Sequence, residues 1–386
     1  MTDSKRYVVS LLVLAGAMFA GVSASEAYNL LPKHFSLVGI NPVVTGFIMS
    51  FTGAGSLMVL PFLAAVVDRF RAKTILAVAA ITGIIVPLVY FLPLDVVRVY
   101  AIPRAFQGAL FAVMMVSYNA VLGRVLPEGR RSRGIGMFGL MGQAGGLVAL
   151  AVGELVLDSG GLSSLYVFSL LLFGLMLICA FLLPEARPEG HSQKPQWSDF
   201  RRYLWKRSMF LPLFWVFSLG SGFGTILAFM PDLVLERGIG VVRPFYLAYP
   251  AAVATVRLGF GHLFDRHSLP RVVLLPLAML PACMIFIWQA DSWLLLAAAG
   301  AAYGIAHGVL FPALMGYLMD NSPPHFRGRM SLVFNMCFSG GIFGAANIGG
   351  LFVDGSVQPV FFWMALYTAA GLFLLAGRQV ARLLKA

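Results

Sequence analysis

The chain has 386 residues, of which 59% are hydrophobic and only 11% charged, with a mean hydropathy of +0.85. Soluble globular domains carry about 25% charged residues, so the composition leaves no extended soluble stretch for a catalytic domain and implies a polytopic α-helical membrane protein. The net charge of +12 needs no nucleic-acid partner, because the basic residues fall where membrane topology puts them.

The first apolar run begins at Tyr7, behind Lys5 and Arg6 and ahead of Ser23-Ala24-Ser25, an arrangement that imitates a secretory signal. The run is longer than the usual signal core of about 7–15 residues, and further spans follow, so it is expected to be an uncleaved first span. Near its far end lies Glu26, an acid that would cost about 2.5–3.5 kcal/mol at the centre of a membrane helix. Twelve spans are predicted in all, at about 7–31, 42–66, 73–92, 98–121, 134–157, 163–183, 208–231, 243–264, 270–289, 292–318, 328–353 and 358–378. Turn-forming stretches separate several of them, at Pro93-Leu94-Asp95, Pro127-Glu128-Gly129, Asp158-Ser159-Gly160-Gly161 and Asn321-Ser322-Pro323-Pro324.

The longest polar stretch, 184–207, divides the chain into an N-terminal bundle of six spans (1–183) and a C-terminal bundle of six (208–386). Its second part places Phe200, Tyr203 and Leu204 among Arg201, Arg202, Lys206 and Arg207. That pattern fits a short amphipathic helix on an anionic membrane surface, and equally an ordinary basic linker. With the N-terminus inside, most of the 28 basic residues fall on cytoplasmic segments, and only Lys33, Arg98, Arg237 and Arg243 on outer ones. The positive-inside rule then puts both termini in the cytoplasm.

The halves echo one another. Gln107-Gly108-Ala109-Leu110-Phe111 returns as His307-Gly308-Val309-Leu310-Phe311, Asp68-Arg69 as Asp265-Arg266, and Arg131-Ser132-Arg133-Gly134 as Arg327-Gly328-Arg329. Such parallel repeats are a mark of secondary transporters. Cys179, Cys283 and Cys337 all lie inside apolar runs and are read as small core residues, neither disulfide-bonded nor metal-binding.

These motifs resemble the major facilitator superfamily. Ala64-Ala65-Val66-Val67-Asp68-Arg69-Phe70-Arg71-Ala72-Lys73 is similar to the family's Gly-x-x-x-Asp-Arg-x-Gly-Arg-Lys/Arg motif at Asp68, Arg69 and Lys73, though not at its glycines or second arginine. Arg104-Ala105-Phe106-Gln107-Gly108 fits its Arg-x-x-Gln-Gly pattern in span 4, and Arg257, Gly261, Asp265 and Arg266 fit the echo in the C-terminal half. Pro323-Pro324-His325-Phe326-Arg327-Gly328 before span 11 is a further likeness. The short termini and the Glu26…Pro32 first span resemble bacterial efflux permeases, and the pattern of the C-terminal half is similar to the sugar- and drug-efflux group. Span 5, however, reads Gly142-Gln143-Ala144-Gly145-Gly146 through Gly153 and lacks the proline of the drug:proton antiporter motif.

The resemblance implies the major facilitator fold and alternating access in a bacterial-type inner membrane. It puts span 1 along a central cavity, where Glu26 can hold and release a proton; the competing reading is a solvated carboxylate at the outer interface. Arg104 is implied to link protonation to the conformational switch, or else to serve carbonyls freed by Pro103. His307, at the repeat position of Gln107, can take part in proton movement or simply tie helices together. Gln107, like Asn119, Gln143, Asn335 and Asn347, lines a path or bridges helices. Asp68, Arg69, Lys73, Arg257, Asp265 and Arg266 are implied to form a cytoplasmic gate. Glu154, near the outer end of span 5, is expected to be solvated at the boundary. Phe217, Phe223, Phe229, Tyr246 and Tyr249 are read as core.

No phosphate-binding Gly-x-x-x-x-Gly-Lys-Ser/Thr loop, metal-ligand cluster or nucleophile–base pair is evident, so no cofactor, metal or enzymatic activity is expected. The expected function is proton-coupled export of a small organic molecule by a monomer in the lipid bilayer. The alternatives are uptake or facilitated diffusion of a sugar, organic acid or metal chelate, and a non-transporting assembly factor on the same fold.

Overall fold

Helices account for nearly every described residue of the computed structural model, which describes residues 3–92, 98–125, 131–183, 204, 207–260, 269–322, 327–353 and 355–383, some helix ends such as 64–69 and 373–383 as backbone alone. The helices are α1 (Asp3–Glu26), α2 (Leu31–Leu37), α3 (Pro42–Arg69), α4 (Ala72–Ile85), α5 (Ala101–Val125), α6 (Arg131–Leu182), α7 (Arg207–Glu236), α8 (Arg243–Phe260), α9 (Leu269–Trp288), α10 (Trp293–Asp320), α11 (Arg327–Gly349) and α12 (Gln358–Leu383). Among the described residues, eight helical stretches are long and apolar enough to cross a membrane, and Val272–Trp288 is a shorter apolar helix.

Two departures from regular helix define the spans. Within α6, Gly160 and Gly161 leave helical geometry, and Gly161 takes φ 65°, a left-handed conformation that side chains with a Cβ rarely adopt. One long helix is thereby two spans, broken where Asp158-Ser159-Gly160-Gly161 predicts a break. At the first span, α1 ends at Glu26, a 3-10 turn covers Ala27–Leu30, and α2 continues to Leu37. The apolar stretch therefore runs over Val9–Leu37, beyond the predicted end at 31. Pro32 does not stop it, because proline is tolerated in the first turn of a new helix.

The chain clusters into two compact units, Met1–Val38 with Ala54–His191, and Gly39–Gly53 with Ser192–Ala386. In the first unit α1 packs on α6 and α5, and α4 on α5 and α6. Its apolar core includes Leu14, Met18, Met114, Tyr118, Phe138, Phe173 and Met176. Hydroxyls tie these helices to backbone carbonyls: Ser23 to Gly145 at 2.9 Å, Tyr118 to Ala17 at 2.8 Å, Ser169 to Ala24 at 3.1 Å and Ser56 to Gly108 at 2.8 Å. Such bonds and small residues substitute for the hydrophobic drive that lipid cannot supply between helices.

In the second unit α8 packs on α10, α7 on α11, and α9 on α10 and α12. Glycines set the spacing of two of these pairs. A Cβ on Gly224 would lie 2.6 Å from the Ile342 carbonyl oxygen, and one on Gly300 would lie 2.5 Å from that of Phe245. A Cβ on Gly304 would overlap the Tyr249 carbonyl outright.

Candidate functional site

In the first unit, Glu26, Asn29 and Lys33 fall at i, i+3 and i+7 along span 1, one polar stripe on a helix surface. Asn29 links the stripe to α5. Its Nδ2 donates to Glu26 Oε2 at 2.6 Å, while its Oδ1 accepts from a terminal nitrogen of Arg104 at 3.0 Å. Arg104 is 1% exposed. Its other terminal nitrogen donates to Gln107 Oε1 at 2.9 Å and to the Tyr28 carbonyl at 3.4 Å. Pro32 lacks the N–H that would serve that carbonyl in a continuous α-helix; the Leu31 N–H and Arg104 serve it instead. Arg104 thus does satisfy a proline-freed carbonyl, but the proline is Pro32 of span 1 rather than Pro103.

Tyr90 donates to the same Gln107 oxygen at 3.0 Å, which fills both its acceptor positions. Tyr28, Tyr90 and Tyr100 form a ring cluster beside it, with centroids 5.7 and 5.5 Å apart in succession. One carboxamide, its orientation fixed from both ends, therefore bridges Glu26 and Arg104. The half-buried Glu26 has eleven further residues of its apolar stretch beyond it, to Leu37.

Glu154 is not solvated at a boundary. It is 0% exposed, and its Oε1 lies 2.9 Å from Lys33 Nζ, which also lies 2.6 Å from Asp158 Oδ1. Lys33, expected on an outer segment, is itself 4% exposed. A buried acid requires a partner, and the extension of span 1 through α2 delivers it.

In the second unit, His307 on α10 is buried, with Nδ1 2.6 Å from the Tyr249 hydroxyl of α8. Its ring stacks on Tyr249 at 5.8 Å and is surrounded by Phe223, Tyr303, Phe311 and Phe338 at centroid distances of 6.2, 6.1, 5.4 and 5.7 Å. Phe223 and Tyr249 are thus part of one aromatic cluster about a polar ring, whereas Phe229 is plain core against Gly46 and Gly349. Arg257 lies two turns beyond Tyr249 on the same helix, α8. Asn347 is spent on the Phe343 carbonyl of its own helix at 2.9 Å.

Of the motif residues, Lys73 lies in the first turn of α4, while Asp68 and Arg69 end α3 as backbone alone. Asp265 and Arg266, and all but Leu204 and Arg207 of the 184–207 linker, lie outside the described residues. Among the described residues no group of three or more His, Cys, Asp or Glu is placed to hold a metal ion. Sequence reasoning missed Asn29, Tyr90 and the pairing of Lys33 with Glu154. The i, i+3, i+7 stripe was the available signal for the first and third.

Residues 8–346 match the Major Facilitator Superfamily. Multidrug resistance protein MdtG of Klebsiella pneumoniae (strain 342) is 22% identical over 374 residues, covering 93% of this chain and 89% of that protein. The protein of the same name from Enterobacter lignolyticus (strain SCF1) is 21% identical, with coverages of 93% and 88%. The crystal structure of nucleoside transporter NupG is alike with a TM-score of 0.77 at 14% identity, covering 95% of this chain and 98% of that one. The human organic anion transporter MFSD10 (TETRAN) gives 0.69 at 15% identity, covering 97% and 100%. At such identities the structural likeness shows the fold.

Proposed function

The chain belongs to the major facilitator superfamily, and from that premise we propose that it is a proton-coupled exporter of a small organic molecule, acting in a bacterial inner membrane with both termini in the cytoplasm. Alternating access of two six-helix repeats is the mode of such carriers. The observation that carries the reading is the Glu26–Asn29–Arg104 link, an acid and a permanent cation held inside a membrane bundle through one amide. Ionisable groups at that depth are costly and kept for function. Glu26 is the proton site. Asn29 and Arg104 carry its state to α5, and Gln107 passes it to Tyr90.

His307 and its aromatic neighbours supply an apolar surface with one polar edge, suited to part of an organic substrate. Asp68, Arg69, Lys73, Arg257, Asp265 and Arg266 belong to the gate by their family motif. Export is favoured by the likeness to proteins named for multidrug resistance over 93% of the chain. Uptake or facilitated diffusion is the second reading, favoured by the missing proline of span 5.

The test uses everted membrane vesicles carrying the full chain and a panel of drugs, sugars and organic acids. An inside-acid pH gradient is expected to drive accumulation of at least one compound in wild type and not in Glu26→Gln. Accumulation that ignores the gradient in both would favour the second reading and remove the role of Glu26.

A further inference from the structure

The backbone of span 1 is least regular where its polar side chains matter most. The 3-10 turn Ala27–Leu30 interrupts it between α1 and α2. Bonding in such a turn is poorer than in an α-helix, and a 3-10 stretch inside a helix often marks a hinge. Pro32 brings no N–H to the Tyr28 carbonyl. Yet this turn carries the groups that meet Arg104, the Tyr28 carbonyl at 3.4 Å and the Asn29 side chain at 3.0 Å. Both sides of the turn are tied to α6. Before it, Ser23 Oγ donates to the Gly145 carbonyl at 2.9 Å, and the Ala24 carbonyl accepts from Ser169 at 3.1 Å. There the two backbones nearly touch: a Cβ on Gly145 would lie 2.7 Å from the Phe19 carbonyl oxygen. After it, Lys33 Nζ lies 2.9 Å from Glu154 Oε1 and 2.6 Å from Asp158 Oδ1. Gly145, Glu154 and Asp158 all precede the break at Gly160–Gly161, so the ties at Gly145 and Glu154 share one stretch of helix, about 14 Å apart along it.

We propose that Lys33 is a positioning residue for proton coupling: paired with Glu154 and Asp158, it fixes the far end of the turn and so holds Asn29 between Glu26 and Arg104. The proposal rests on Glu26 being the proton site. Among the described residues Lys33 bonds to neither Glu26 nor Arg104, so it acts through the backbone between them. The burial of the pair fits a geometric role. Buried ion pairs add little stability over apolar side chains of similar volume. What this one adds is direction: an ammonium held by two carboxylates of α6 sets the register of α2 against that helix. With the near end already fixed at Ser23, Asn29 keeps one position, in reach of the acid on one side and the guanidinium on the other.

The experiment compares wild type with the double variant Lys33→Met/Glu154→Leu, in which apolar side chains replace the pair and Asp158, its side chain 40% exposed, is left to water. Hydrogen–deuterium exchange of the purified full chain reads the turn directly. Peptides covering 27–37 are expected to exchange about tenfold faster in the double variant, the loss of a bond to a charged group, while peptides covering 14–23 exchange as in wild type. In proteoliposomes, proton flux at equal substrate counterflow is expected to fall about as far as in Asn29→Leu. Adding Asn29→Leu to the double variant is expected to lower it no further, since the pair acts through Asn29. Lys33→Arg keeps a cation between the two carboxylates and is expected to keep slow exchange and wild-type flux. Unchanged exchange or flux in the double variant, losses that multiply with that of Asn29→Leu, or a loss in Lys33→Arg as large as in the double variant would each overturn the proposal. Glu26→Gln is measured beside them. Flux retained there would refute Glu26 as the proton site and with it the coupling role, while faster exchange in the double variant would still show the pair holding the turn.

Discussion

Lys33 and Glu154 are 4% and 0% exposed, and a buried pair of this kind matters most when it is broken. Removing one member leaves a charge in a medium that cannot solvate it, at a cost of about 3–5 kcal/mol, whereas replacing both with apolar side chains is often neutral. Lys33→Met is therefore expected to lower the thermal unfolding midpoint sharply, and Lys33→Met with Glu154→Leu to recover most of the loss. A single variant as stable as wild type would show that the pair contributes little. The pair was not legible in the sequence because hydropathy ends the first span at 31, which leaves Lys33 in a loop. Glu26, Arg104, Gln107 and His307 were each legible as polar groups in apolar runs. Their partners were not, since Asn29 and Tyr90 gain meaning only from the register of one helix against another.

Helices themselves were legible, because apolar runs of membrane length admit no other backbone state. The break at Gly160–Gly161 was legible too, in a glycine pair beside Asp158 and Ser159. How closely two helices approach was not, as glycines are spread through most spans. The structure separates those at contacts from those in open space. Gly304 has no room for a Cβ against the Tyr249 carbonyl, while a Cβ on Gly308 would meet Val253 Cα at 3.3 Å and Gly316 meets nothing within 4 Å. Gly304→Ala is expected to push α8 from α10, cost about 1–3 kcal/mol of stability, and spoil the 2.6 Å Tyr249–His307 bond. Gly316→Ala is expected to cost nothing and to add up to about 1 kcal/mol, since alanine is the better helix former where its Cβ has room. Equal stability of the two variants in a thermal melt would mean that the glycine contact does not set the spacing.

At the scale of the molecule, family membership makes the chain a multi-pass membrane transporter, and the likeness to proteins of different named substrates shows how little the fold says about cargo. On that fold the chain builds, in the first unit, an acid and an arginine joined by an amide, and in the second a histidine enclosed by aromatic rings. The central claim is that Glu26 carries the coupled proton and that Asn29 transmits its state. The most direct measurement is substrate-evoked proton flux in proteoliposomes enclosing a pH-sensitive dye, taken beside substrate counterflow in the same vesicles. Wild type is predicted to move protons with substrate. Glu26→Gln is predicted to lose that flux, and Asn29→Leu to reduce it at least about tenfold, the loss of a bond to a charged group, while counterflow persists in both. Proton flux in Glu26→Gln equal to that of wild type would contradict the account.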